Sequence, residues 1–223
     1  MADATRLPSI AYIDELEDAR ADFFTDAYQS GLFKDIHILA PEATLTEMVD
    51  RLLNLQIDAM ISDFQLTEAG PVDYNGEALV EAILARRAGF PCFIQTSFDD
   101  AAMRAADDVN RVYSKNPKAG TGGREQFLQR ISLQIERHHA RLTEWSDELK
   151  KLLAIDREAL TALQVERILE LDEAIEKNMG LDDQIARQAK RDLLKGESLS
   201  SRHTDLIDKT EKLIAEMRRA LDG

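Results

Sequence analysis

The chain has 223 residues, enough for one large domain or two modest ones. It is 44% hydrophobic and 31% charged, the composition of a folded protein, and its formal net charge is -14. An acidic surface repels phosphate backbones and no basic cluster offsets it, so the expectation is that nucleic acid is not a partner.

The opening stretch "MADATRLPSI" has no apolar signal core, and no 18-residue apolar run occurs anywhere, so the expected setting is the cytoplasm, away from membranes. A first strand, "SIAYI", runs into Asp14 and Glu15. "EDARADFFTDAYQSG" follows as a helix with Ala19, Phe23, Phe24 and Ala27 on one side, stopped by Gly31. "DIHIL" is a second strand, and "TLTEMVDRLLNLQ" is an amphipathic helix carrying Leu45, Met48, Val49, Leu52 and Leu53. A third strand, "DAMIS", leads into Asp63, and a carboxylate in such an apolar run is costly unless something pairs with it. The helix "GEALVEAILARRAG" carries Leu79, Val80, Ile83 and Leu84. "PCFIQT" is a fourth strand ending in Thr96 and Ser97. It holds the only cysteine, Cys92, which reads as a small buried hydrophobe. "DDAAMRAADD" is a short, weak helix, "RVYS" is a fifth strand leading into Lys115, and "GTGG" at 120–123 reads as a hinge.

Strands that alternate with helices imply βαβ units, a parallel sheet and helices on both of its faces. In open sheets of this class ligands bind beyond the carboxyl ends of the strands. Those ends carry Asp14 and Glu15, Asp63, Thr96 and Lys115. Three close carboxylates raise one another's pKa unless a cation sits among them. Oxygen ligands of this kind suit Mg²⁺, and a metal with a lysine is what neutralises a phosphoryl group. Asp58 starts the same strand that Asp63 ends, so it is expected at the opposite edge. Zinc-ligand spacing, a Walker loop and a G-x-S-x-G elbow are all missing from the sequence.

On these residues the segment from 8 to about 118 resembles a response-regulator receiver domain. The acidic pair Asp14 and Glu15, then Asp63, Thr96 and Lys115, stand in register at successive strand ends, and Gly76 opens the third helix. The resemblance implies a flavodoxin-like, doubly wound, five-stranded parallel sheet. It implies that Asp63 accepts a phosphoryl group from a histidine kinase or a phosphotransfer protein. It further implies Mg²⁺ on Asp14, Glu15 and Asp63, with Thr96 bonding a phosphoryl oxygen and Lys115 pairing with it. The chain departs from the receiver pattern in several places. The loop from Asp63 to Gly76 is longer, the segment from Thr96 to Lys115 is shorter, and Asn116 separates Lys115 from Pro117. The position three residues before the lysine is Val112, with Tyr113 one residue late, so alternation along a strand turns Tyr113 to the other face.

From Arg124 onward proline and strand patterns stop. Leu128, Ile131, Ile135, His138, Leu142, Trp145, Leu149 and Leu152 form a heptad seam. A second helix carries Leu160, Leu163, Ile168, Leu171, Ile175 and Met179, and further helical patterns cover 181–194 and 198–221. The division expected is a receiver-like domain over 1–123 and an all-α coiled-coil or bundle region over 124–223. The unbroken register predicts a partner in trans, a homodimer built on 124–155. His138 and His203 occupy seam positions, where a bundle histidine is the simpler expectation than a phosphotransfer group. The whole reads as a two-component response regulator, without enzymatic output, that signals to a protein effector through its helical region. A phosphate sink, a phosphorylation-independent scaffold and a dehalogenase-like phosphatase are the alternatives. The last is disfavoured because Gln65 stands where such enzymes place a second aspartate.

Overall fold

The computed structural model describes residues 7–67, 72–97, 111–115, 123–156 and 159–179, with Lys190 and Leu194. Five strands form one parallel sheet: β1 (Ile10–Ile13), β2 (Ile36–Leu39), β3 (Ala59–Asp63), β4 (Cys92–Thr96) and β5 (Val112–Ser114). Their spatial order is β2-β1-β3-β4-β5. This is the flavodoxin-like arrangement, in which the chain order reverses between β1 and β3 and leaves a crevice at their carboxyl ends. The fold is therefore the α/β class expected from the alternating pattern.

Alternation along the strands separates two cores. Ala11, Ile13, Met60, Cys92 and Ile94 face one side, where α2 (Leu45–Leu53) and α3 (Gly76–Arg86) bring Met48, Val49, Leu52, Leu79, Val80 and Ile83. Ile10, Tyr12, Ala59, Ile61 and Phe93 face the other. There α1 (Glu17–Ser30) supplies Phe23 and Ala27, and α4 (Gly123–Leu153) supplies Phe127, Leu128, Ile131 and Ile135. Fully burying one such side chain is worth about 1.5–3 kcal/mol. Strand parity thus decides which helix each residue meets.

Local signals set the helix ends. Thr44 and Glu47 form a reciprocal capping box at the start of α2, and the Asn75 side chain accepts from the Ala78 N–H at the start of α3. α1 stops at Gly31, whose φ of 63° is the left-handed conformation that a glycine adopts without strain.

Two compact units divide the chain: Met1–Glu144 with Lys177–Gly180, and Trp145–Glu176 with Leu181–Gly223. The second unit contains the end of α4 and most of α5 (Ala162–Met179). Thr161 and Gln164 form the same reciprocal cap at the start of α5. Leu149, Val165, Ile168, Leu169, Leu171 and Ile175 are buried, and Arg167 donates through Nε and Nη2 to the two oxygens of Glu148. Lys190 pairs with Asp172 and Glu176. The helical patterns expected at 99–108 and 198–221, His203 and most of 181–194 lie outside the described residues.

The seam expected to recruit a second copy is covered from within over its first half. Leu128, Ile131 and Ile135 are buried in the core of the sheet, and the His138 ring meets Phe90 edge-on at 6.4 Å. A heptad pattern states that a stripe is apolar and leaves the partner unspecified, so the open stripe that motivated a homodimer is not present at these positions. None of the described helices is long and apolar enough to cross a membrane.

Candidate functional site

All four parallel pairings place the strand ends at one edge. Ile13 stands opposite Ser62, Asp63 opposite Gln95, and Thr96 opposite Ser114. Asp14 and Lys115 are the next residues after β1 and β5, and Asp63 and Thr96 are the last residues of β3 and β4. The Lys115 N–H donates to the Thr96 carbonyl at 2.8 Å, which fixes the end of β5 against β4.

The charged groups meet at this edge. The Lys115 ammonium lies 2.7 Å from Asp14 Oδ2 and 2.7 Å from Asp63 Oδ1. Asp14 is fully buried, and Asp63 is 5% exposed. Asp14 Oδ2 also accepts from the Tyr12 hydroxyl at 2.6 Å, and Asp14 Oδ1 accepts from the Leu16 N–H at 2.9 Å. Asp63 Oδ2 accepts from the Gln65 N–H at 3.1 Å. Oxygens of Asp14, Glu15 and Asp63 lie within 4.8 Å of one another. Glu15 Oε2 is buried and has no hydrogen-bond partner among the described residues.

Electrostatics follow from that crowding. Burial pushes the Asp63 carboxyl above its usual range and Asp14 adds to the effect, while Lys115 opposes it. Glu15 is pushed up to about 7, first by burial and then by the charges of Asp14 and Asp63. Lys115 is held above its ordinary value. Burial disfavours its charge, but the hydrogen bonds to Asp14 and Asp63 outweigh that. One ammonium among three carboxylates leaves formal negative charge uncompensated. The donor set is all oxygen, and Glu15 Oε2 is buried without a partner. Both features fit a hard divalent cation such as Mg²⁺, held by Asp14, Glu15 and Asp63.

Gly76 is a steric requirement of this edge. Its N–H donates to the Phe64 carbonyl at 2.9 Å, and a Cβ at this position would stand 2.0 Å from the Asp63 carbonyl oxygen. Only glycine lets the start of α3 lie on the backbone of the candidate acceptor. Thr96 is 1% exposed at the end of β4. A cleft of about 220 Å³ opens beside Lys115, lined among others by Tyr12, Gln95, Ser97 and Arg124.

Tyr113 packs on Phe127 at 4.8 Å and Phe93 at 6.0 Å, with the Arg130 guanidinium 5.8 Å from its ring. Val112 packs on the opposite core. The one-residue offset thus directs the aromatic ring to the α1/α4 side. Asp58 sits at the far edge of the sheet, where Oδ2 accepts from the Ser9 N–H at 2.7 Å and Oδ1 lies 3.0 Å from His139 Nε2. Two contributors to the site escaped the sequence reading. Tyr12 shares strand parity with Asp14, a signal that was there to be used. Arg20 donates to the Asp14 carbonyl at 2.6 Å, and its position in α1 gave no such sign.

No family model matches the chain, and no curated protein does either. Among solved structures the chain is similar to the two-component response regulator RcsB in a complex with DNA. Identity is 14% over 83% of this chain and 98% of that one, and the TM-score is 0.42. A structure of two RcsB dimers on two parallel DNAs gives 14%, 87% and 100% coverage, and 0.44. RcsB from Salmonella enterica serovar Typhimurium, bound to promoter P1flhDC in the presence of phosphomimetic BeF3-, gives 13%, 86% and 93%, and 0.40. A likeness this distant assigns no activity to the chain. It does overturn one expectation, the exclusion of nucleic acid as a partner, because these similar proteins are seen on DNA. Neither the net charge nor clustering along the sequence gives the local potential, because phosphate contacts depend on where individual Lys and Arg side chains stand in space.

Proposed function

We propose that the chain is a response regulator whose Asp63 accepts a phosphoryl group, and that its helical region, from residue 124 on, carries the signal to a protein effector. The observation that supports this best is the Lys115 ammonium held between Asp14 and Asp63, with the unpartnered Glu15 oxygen beside them. A buried nucleophilic carboxylate needs positive charge around it, and a transferring phosphoryl group needs the same.

The donor is a phosphohistidine of a histidine kinase or a phosphotransfer protein. An oxygen of Asp63 attacks phosphorus, the P–N bond breaks, and its electron pair returns to the imidazole, which takes up a proton from solvent. The product is an acyl phosphate on Asp63. Mg²⁺, when bound by Asp14, Glu15 and Asp63, neutralises charge on the phosphoryl oxygens. Lys115 turns from the carboxylates to pair with a phosphoryl oxygen, and the Thr96 hydroxyl donates to another.

Acetyl phosphate with Mg²⁺ should add one phosphoryl group to the wild-type chain, read by intact-mass spectrometry, and Asp63→Asn should abolish the addition. Addition that persists in Asp63→Asn removes Asp63 from this role. A wild-type chain that never takes the group would leave a phosphorylation-independent scaffold.

A further inference from the structure

Tyr12 has a place in the site that its position in the core does not require. Its ring is 2% exposed and stacks on Phe23 with centroids 3.9 Å apart and planes 4° from parallel. A phenylalanine would fill that space equally well. The hydroxyl is the added feature, and it does not point to solvent. It donates to Asp14 Oδ2 at 2.6 Å, the same oxygen that the Lys115 ammonium contacts at 2.7 Å. Tyr12 lies in β1 and Asp14 directly follows its end, two residues on, so the alternation of the strand brings the two side chains to the same face.

We infer that Tyr12 is a positioning residue for the metal and phosphoryl site, acting through Asp14. The inference rests on the phosphoacceptor assignment of the preceding section. Asp14 is fully buried, and its carboxylate has three donors: the Leu16 N–H on Oδ1, and Tyr12 and Lys115 on Oδ2. Two of them are held by the fold: the Leu16 N–H is backbone at the start of α1, and the tyrosine hydroxyl sits on a ring buried in the core. The third is on a flexible side chain that the proposed chemistry draws away. When Lys115 turns to a phosphoryl oxygen, Tyr12 is the donor left on Oδ2, and it keeps the carboxylate in one orientation. Hydrogen-bond partners that orient a ligating carboxylate are commonly worth about 10–100-fold in metal affinity. Tyr12 touches neither the metal nor phosphorus, so its effect should fall on metal affinity and leave the rate at saturating metal nearly unchanged.

The test is Tyr12→Phe on the full chain. Mn²⁺ alone is the probe, with the free ion followed by electron paramagnetic resonance. The expected result is an affinity about ten-fold weaker than wild type. Phosphorylation by acetyl phosphate should be slowed at low Mg²⁺ and restored at saturating Mg²⁺. Phe23→Leu removes the stacked ring and keeps the hydroxyl, and it should leave Mn²⁺ affinity within about two-fold of wild type. Equal Mn²⁺ affinity in wild type and Tyr12→Phe overturns the inference. So does an affinity loss in Phe23→Leu as large as that in Tyr12→Phe, because packing would then be the cause. A wild-type chain that binds no Mn²⁺ and takes no phosphate defeats the phosphoacceptor assignment instead, so the two failures are distinguishable.

Discussion

Strand β3 has an aspartate at each end, Asp58 just before it and Asp63 as its last residue, and the two live in opposite surroundings. Asp58 is paired in an ordinary way. A backbone N–H meets one oxygen, a partly exposed histidine meets the other, and its side chain keeps 27% exposure. Asp63 is almost fully enclosed, shares the Lys115 ammonium with Asp14, and lies within 4.8 Å of a Glu15 oxygen. A protein seeking stability alone would not gather three carboxylates at one edge with two of them buried. The first pole reads as structure and the second as chemistry. The lesson is that function shows where the local arrangement is worse for stability than it needed to be.

The largest expected effect tests this contrast directly. Lys115→Met removes the one described cation from between Asp14 and Asp63 and leaves two buried carboxylates facing each other. Breaking such a buried group by deleting one partner costs about 3–5 kcal/mol. Urea denaturation at neutral pH should show a loss of that order. Excess Mg²⁺ should return part of it, because the metal replaces the missing positive charge. A loss under about 1 kcal/mol would mean that the edge is far better hydrated than its burial indicates.

The opposite pole carries a second titratable group, and there the expected effect is smaller. Burial pushes the His138 imidazole down to about 4, with His139, Arg87 and Arg141 adding to the shift and Asp58 opposing it. In the unfolded chain a histidine titrates near 6.5. Between these values the unfolded state binds more protons, so folding stability falls as the pH drops. The contribution is complete above about pH 6.5, declines toward pH 4, and is gone below it. The shift corresponds to at most about 3 kcal/mol. Comparing wild type with His138→Leu by denaturation across this range isolates the effect, since other groups titrate in both. Parallel pH profiles would show that His138 is hydrated when charged.

Much of this architecture was legible in the sequence. Short apolar runs marked all five strands, and amphipathic spacing marked α1, α2 and α3. Strand ends brought Asp14, Glu15, Asp63 and Lys115 to one edge because parallel pairing leaves them nowhere else to go. What could not be read depends on partners distant in the chain. Leu128, Ile131 and Ile135 have the same spacing whether they meet a second helix or a sheet. Only the face of the sheet that α4 covers beside α1 decides between them. The Tyr12 hydroxyl was hidden for a different reason. A tyrosine in a buried strand satisfies the hydrophobic pattern, and the pattern does not reveal where its polar tip finds an acceptor.

The smallest effect is expected at Asp58, and it sharpens the contrast by its size. Asp58→Asn keeps the shape of the side chain. The amide oxygen can still accept from the Ser9 N–H, and what is lost is the charge facing His139 and Arg87. Both partners of that pair are partly open to water, at 38% and 27% exposure, where ion pairs are worth about 0–1 kcal/mol. The substitution should therefore change stability by about 0.5 kcal/mol and leave the phosphoryl addition at the other edge untouched. A double-mutant cycle with His139→Ala should give a coupling no larger than that. The neutral variant is the fair comparison with Lys115→Met, because each removes one formal charge from one edge of the same sheet. If the two cost the same, charge burial does not distinguish the poles, and the case for chemistry at Asp63 would rest on the mass measurement alone.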